Sequence, residues 1–301
     1  MDAGHSEYTR MRTVQPPTRA DVEAAVRLEP TPLVESDGFE LKLETLQPTG
    51  SFKVRGAANA IARVDGPVVT ASAGNFGLAL AWAAARAGVD AAVVVAESAS
   101  PEKIAKLRRF DIELVIHGAD YDEAERHALA LPGRYVSPYN DTDVIAGNGT
   151  LALELPDAKC IVVPIGGGGL AAGIRLATDA RVVGVVPSAF PAIRAALDVG
   201  RVVEIEGERT IADALHGNIE PGSVTVDILR GTEVVEVTER EIEEAMRFLA
   251  REHGLVTEGA GAAATAAILA GKAPRSSVAI VSGRNVTAET FAGALQRGAG
   301  R

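Results

Sequence analysis

From Pro67 onward, short runs rich in β-branched residues alternate with alanine-rich stretches of helical length, the pattern of βαβ units feeding a parallel sheet. Val68-Val69-Thr70 predicts a strand, Leu78 to Ala87 a helix and Ala92 to Val95 the next strand. Ser100 followed by Pro101 reads as a cap and a first helical position, predicting a helix to Phe110. A strand from Ile112 to Ile116 and a helix from Tyr121 to Leu131 follow. A second series begins after Asp143 with helix Thr150 to Leu155, strand Cys160 to Ile165, helix Leu170 to Thr178 and strand Arg181 to Val186. Helices over Glu239 to His253 and Ala260 to Ala270 and a strand over Ser277 to Val281 complete it.

Two such series predict an α/β protein of two lobes, each a largely parallel twisted sheet flanked by helices, with breaks near Pro67 and Asp143. The expected division is residues 1–66 with 144–301 as a large domain and 67–143 as a small mobile one.

Three turns carry unusual chemistry. Leu41 to Ala57 reads as an apolar strand, a Pro48-Thr49-Gly50 turn and a helix start, with Lys53 just at that start. A lysine there serves as a Schiff-base nucleophile if its surroundings lower its pKa; by spacing alone a solvated surface lysine is the plainer reading. Thr70-Ala71-Ser72-Ala73-Gly74-Asn75-Phe76-Gly77 links a strand to a helix, and its free backbone N–H groups suit a carboxylate or phosphate, or serve as ordinary turn chemistry.

Gly166-Gly167-Gly168-Gly169, between a strand and a helix, costs backbone entropy that a purely structural turn does not require. Close backbone approach to an anion explains it. Gly166, Gly168 and Ala171 loosely fit a dinucleotide fingerprint, but the next strand ends Val185-Val186-Pro187-Ser188, without the acidic residue that binds a ribose. An isolated phosphate fits better. Thr257-Glu258-Gly259 opens a helix and Ser282-Gly283-Arg284-Asn285 follows the last strand; alone, each has an ordinary structural reading.

Composition narrows the partners. The 301 residues are 47% hydrophobic and 4% aromatic, so the core must be built from small and aliphatic side chains. A formal charge of −10 repels phosphate backbones, and nucleic acid is not an expected partner. The single cysteine, Cys160, lies in an apolar run and excludes an intrachain disulfide framework. The N-terminus, Met1 to Arg19, is polar and lacks the apolar core of a signal peptide, and no apolar run is long enough for a membrane span, so a soluble cytoplasmic protein is expected.

In order, these segments resemble the tryptophan-synthase-β-like (fold type II) pyridoxal-phosphate enzymes, most closely their threonine and serine dehydratases and serine racemases. The resemblance spans nearly the whole chain and rests on Ser51-Phe52-Lys53-Val54-Arg55-Gly56-Ala57, Gly74-Asn75, the glycine loop, Glu258 and Ser282. It implies pyridoxal 5'-phosphate in the cleft between the lobes, with its aldehyde on Lys53. Asn75 would bond the ring hydroxyl, Gly166 to Gly169 the phosphate, and Ser282 would face the ring nitrogen, with Glu258 beside the cofactor. Ser72, Ala73, Gly74, Asn75 and Phe76 would hold the substrate carboxylate. The implied reaction is α,β-elimination on a small hydroxy amino acid, giving a 2-oxo acid and ammonia. A homodimer is expected.

Departures sharpen this. Ala73 stands where racemases of the family carry a serine acid/base, which disfavours racemisation, and Val186 stands where some members carry an acidic metal ligand, so no metal is expected. Phe76 replaces a frequent histidine and Arg284 the second glycine of the usual Ser-Gly-Gly-Asn, leaving the substrate open, including a hydroxy-diacid. Thr210 to Asn218 diverges after Asp213, and His216 reads as a pocket-mouth or a plain loop residue. The chain ends soon after Asn285, so a C-terminal regulatory domain is not expected. β- or γ-replacement, as in cysteine and threonine synthases, and a non-catalytic phosphate-binding module remain alternatives.

Overall fold

The computed structural model describes residues 12–297. In chain order, α1 (Arg19–Glu23), β1 (Leu33–Glu35) and β2 (Glu40–Leu43) lead into α2 (Lys53–Ile61). Strand and helix then alternate through β3 (Val68–Ala71), α3 (Asn75–Ala87), β4 (Ala91–Val95), α4 (Pro101–Leu107), β5 (Glu113–Ile116), α5 (Tyr121–Ala130) and β6 (Arg134–Tyr135). The chain continues through α6 (Thr142–Gly149), β7 (Cys160–Pro164), α7 (Gly169–Ala177), β8 (Arg181–Pro187), α8 (Ala192–Val199), α9 (Val224–Ile228) and β9 (Glu233–Val237). It closes with α10 (Glu239–His253), α11 (Gly259–Leu269), β10 (Val278–Val281) and α12 (Ala288–Gln296).

The strands form two sheets. One has the order β1-β2-β10-β7-β8-β9, parallel except for β1, which runs antiparallel to β2. The other, β5-β4-β3-β6, is parallel throughout. Strands β3, β4, β7 and β10 are buried along their whole length, as continuous apolar runs covered by helices on both faces should be. Helix α11 is apolar and buried on every side, because its alanines and glycines let it lie against the six-stranded sheet. Caps place the ends as sequence rules require. Ser100 caps α4 ahead of Pro101, and Thr238 with Glu241 forms a capping box on α10, which Gly254 ends in the left-handed conformation.

The main difference from expectation lies after Asp143. The helix expected over Thr150 to Leu155 is a 3₁₀ turn, Thr150–Glu154, continuing from α6. Gly147 and Gly149 make α6 a poor helix by propensity, yet packing overrides it. A Cβ on Gly147 would meet the Arg55 carbonyl at 2.5 Å, and one on Gly149 the Gly173 carbonyl at 2.6 Å. The glycines therefore let α6 lie directly between α2 and α7. Strand β9 and helices α8, α9 and α12 also escaped the pattern reading.

Helix α2 positions the site. Its apolar stripe, Val54, Ala57, Ala60 and Ile61, joins Val68, Phe76, Leu80, Val136 and Val144 in one buried cluster against the four-stranded sheet. Its N-terminus stays tied to the other sheet, where Ser51 bridges Gly283 and the Phe52 N–H donates to the Ser282 carbonyl at 3.0 Å.

Candidate active site

The chemistry-bearing turns lie at the carboxyl ends of parallel strands: Ser72 to Gly74 after β3, Ile165 to Gly168 after β7, Ser282 after β10, and the turn leading to Lys53 after β2. Open parallel sheets bind ligands at these ends, because helix N-termini and their free N–H groups point there.

Lys53 opens α2, half-buried between the rings of Phe52 and Phe76, whose centroids lie 5.2 and 5.7 Å from its Nζ. The Nζ donates to the Pro138 carbonyl at 2.7 Å. Burial pulls the amine down from its usual range to about 8, while the charge of Glu258 works the other way. A lysine so placed reaches its neutral, nucleophilic form far more readily than one in water.

The next residue along, Tyr139, joins the lysine to the glycine loop. A Cβ on Gly167 would sit 2.4 Å from the Tyr139 ring, and one on Gly169 would sit 2.8 Å from the Tyr139 carbonyl. Gly168 has φ +92°, and its Cβ would meet Thr225 at 2.8 Å; the Thr225 hydroxyl in turn donates to the Gly167 carbonyl at 2.8 Å. Three of the four glycines are thus required by close approach. Among the described residues no acceptor takes the N–H groups of Gly166 to Leu170, which cluster at the N-terminus of α7. A dianionic phosphate is the ligand that such a donor set fits.

On the opposite wall Asn75 opens α3 and donates its Nδ2 to Glu258 Oε1 at 2.7 Å. Glu258 is buried, and burial with the like charge of Asp213 pushes its carboxyl up to about 7, against the Asn75 hydrogen bond. Asn285 Nδ2 donates to Asn75 Oδ1 at 2.7 Å and to the Thr49 carbonyl at 2.8 Å. Ser282 is buried, its hydroxyl 3.4 Å from the Ala260 carbonyl. The hydroxyls of Ser51 and Thr49 are buried without a hydrogen-bond partner among the described residues, so polar capacity remains around the lysine's turn.

In the loop after β3 the Ser72 hydroxyl accepts from the Gly74 N–H at 3.2 Å, and a Cβ on Gly77 would collide with the Ser72 carbonyl at 2.0 Å. Ala73 packs at the edge of a core cluster, and Phe76 is buried in the α2 cluster while its ring faces Lys53. Val186 is buried inside β8. His216 is exposed with its ring tilted at 40° against Phe190, centroids 4.2 Å apart, and Arg284 is exposed while its backbone N–H donates to the Gly50 carbonyl.

A family model described as pyridoxal-phosphate dependent enzyme matches residues 26–283, a span that holds every residue of this site except Asn285. The chain belongs to the pyridoxal-phosphate dependent enzymes. Within that family it is 40% identical over 249 residues to the L-threonine ammonia-lyase of Thermotoga maritima, covering 76% of this chain and 62% of that protein, so it spans less than two thirds of that relative's length. It is 37% identical over 316 residues to the L-threonine ammonia-lyase of Geobacter sulfurreducens, covering 93% of this chain and 77% of that one. Among solved structures, the T.th. threonine deaminase superposes with a TM-score of 0.83 at 31% identity, over 90% of this chain and 99% of that chain. Maize serine racemase does so at 0.85 and 26%, over 94% and 98%. The cofactor of a pyridoxal-phosphate dependent enzyme carries an aldehyde, a phosphate and a ring nitrogen. A half-buried lysine, a glycine loop of free N–H groups and a buried neutral hydroxyl are chemically fit to hold such a group.

Sequence reasoning missed Pro138 and Tyr139, which lie in the connector between β6 and α6 and have no motif. The sequence signal for Asn285 is an amide right after the Ser282 turn.

Proposed function

We propose that this enzyme carries out α,β-elimination on threonine or serine, releasing a 2-oxo acid and ammonia. The observation that carries this reading is the Lys53 amine, drawn down to about 8 by burial, within the field of Glu258 and donating to the Pro138 carbonyl beside the Tyr139 that packs on the glycine loop. The threonine ammonia-lyase and deaminase names of the relatives support it.

When bound, the cofactor supplies an electron sink for the pair left at the substrate Cα. Lys53 would hold its aldehyde, and its Nζ, when free, would take the proton from the substrate Cα as general base. The N–H groups of Ser72 to Phe76 orient the substrate carboxylate, the N–H groups of Gly166 to Gly169 hold the phosphate, and Asn75 bonds the ring hydroxyl. Ser282 meets the ring nitrogen with a neutral hydroxyl, which holds a proton there less firmly than a carboxylate would. A neutral partner at that position would favour loss of the β-hydroxyl over transamination. Ala73 offers no acid on the opposite face, so Lys53 is the proton carrier at Cα.

Residues 67–143 form, in this reading, a small mobile domain that closes on the substrate over a large domain of 1–66 and 144–301. The Lys103 to Asp213 ion pair at 3.2 Å spans the two. Among the described residues no helix is long and apolar enough to cross a membrane. The likeness to the family and the single buried thiol Cys160 are the grounds for placing the protein in the cytoplasm as a homodimer.

The test is to add cofactor to the purified protein and measure 2-oxo acid release from threonine, serine and 3-hydroxyaspartate isomers, with and without sulfide. A yellow protein absorbing at about 410–430 nm is expected, with turnover that needs no added nucleophile, and both should vanish in Lys53→Ala. Turnover only with sulfide would replace elimination by β-replacement.

A further inference from the structure

A side-chain amide can present either its oxygen or its NH₂ to a ligand, and which one it presents is fixed by its other partners. Asn75 has two. Its Oδ1 accepts from Asn285 Nδ2 at 2.7 Å and its Nδ2 donates to Glu258 Oε1 at 2.7 Å. Asn285 is itself held from both sides. Its other Nδ2 proton goes to the Thr49 backbone carbonyl at 2.8 Å, a group that only accepts, and its Oδ1 faces Lys106 Nζ, a group that only donates, at 3.5 Å.

The ends of this chain fix its direction. Turning the Asn75 amide over would set its oxygen against the Glu258 carboxylate and its NH₂ against the NH₂ of Asn285, two unfavourable contacts for two lost hydrogen bonds. Turning Asn285 over would set NH₂ against an ammonium and oxygen against a carbonyl. The chain therefore runs from Lys106 through Asn285 and Asn75 to Glu258. The second Nδ2 proton of Asn75 has no acceptor among the described residues. Lys106 and Asn75 lie on helices α4 and α3, which flank the four-stranded sheet. Thr49 and Asn285 follow β2 and β10 of the six-stranded one and Glu258 caps α11, which packs on it, so the chain forms across the junction of the two.

We infer that Asn285 is a positioning residue: held by Thr49 and Lys106, it locks the Asn75 amide as a hydrogen-bond donor towards the cofactor's ring oxygen. This rests on the cofactor arrangement proposed above and deepens it. A donor at that oxygen stabilises its anionic form, leaving the shared proton on the neighbouring Schiff-base nitrogen, which is the yellow form. An amide free to rotate lets the proton return to the oxygen, a form that absorbs near about 330 nm.

The experiment compares absorbance spectra and cofactor affinity of wild type, Asn285→Ala and Asn285→Asp holoenzymes at about pH 8.5, above the range in which Glu258, raised to about 7, titrates, so that its carboxylate only accepts. Aspartate is the decisive change, since it keeps the size of Asn285 and can accept from Lys106 but, ionised, cannot donate to Asn75. The ratio of the yellow band to the near-ultraviolet band is expected to fall about fivefold in both variants, the scale of one lost neutral hydrogen bond, with a similar rise in the cofactor Kd. Should the alanine variant fail to fold, the aspartate variant decides alone. A yellow wild type with an unchanged Asn285→Asp spectrum overturns this inference and leaves the cofactor assignment standing. A wild type that stays colourless with added cofactor overturns both.

Discussion

Arg55 and Glu44 form a two-pronged ion pair with both side chains fully buried, Nε to Oε2 at 2.7 Å and Nη2 to Oε1 at 2.8 Å. Glu154 receives the remaining prong from Arg55 at 2.6 Å and also pairs with Lys42, while the Thr31 hydroxyl donates to Glu44. The motif arginine two residues after the lysine thus works behind the site. It pins the first turn of α2 to the turn that follows β2, and so fixes where Lys53 emerges.

Removing one partner leaves a buried charge without compensation. Arg55→Met should cost about 3–5 kcal/mol of unfolding free energy. Urea denaturation of the single variant and of the double variant with Glu44→Leu checks this, because the double variant should recover part of the loss. Two additive losses would argue against the pairing.

Glu258 sets a pH dependence. Its carboxyl rises from 4.5 to about 7 on folding, so the folded state binds more protons than the unfolded chain between those values. Stability from this group is present below 4.5 and is lost as pH rises through about 7. In the cofactor-free protein, Glu258→Gln should match wild type at the acid end of that window and exceed it in stability at the neutral end. Thermal melts across the window read the difference, and a gap that is constant with pH counts against the assignment.

Gly168 combines a left-handed backbone with a close neighbour. Gly168→Ala adds strain of about 1–3 kcal/mol and pushes Thr225 off the Gly167 carbonyl, so the loop's N–H groups lose their aim. The cofactor Kd, read by absorbance titration, should rise about tenfold or more while the secondary structure is kept. Unchanged affinity would place the phosphate elsewhere.

Ala73 is the expected bar to racemisation. Ala73→Ser places a hydroxyl in the loop that faces the substrate, so the D-isomer of serine should appear beside pyruvate, as chiral chromatography would show. If 2-oxo acid release continues with no D-isomer, a proton donor at residue 73 is not what separates the two activities.

The sequence alone determined the α/β class and most of the alternating strands and helices, because β-branched runs and alanine-rich stretches differ in local propensity and period. It also marked Lys53, Asn75, the four glycines and Ser282, which stand where a strand gives way to a helix or a loop, and Glu258, which opens a helix; such turns have a local signature. What these residues touch depends on how the chain folds back on itself. Helix α6 is invisible to propensity because its glycines serve contacts with α2 and α7, far away in the chain. Pro138 receives the Lys53 hydrogen bond and Tyr139 fills the space beside the glycine loop from a connector with no motif, while Asn285 reaches Asn75 across 210 residues. Hydrogen-bond direction, desolvation and close backbone approach are properties of neighbours in space, and sequence order does not encode those neighbours locally.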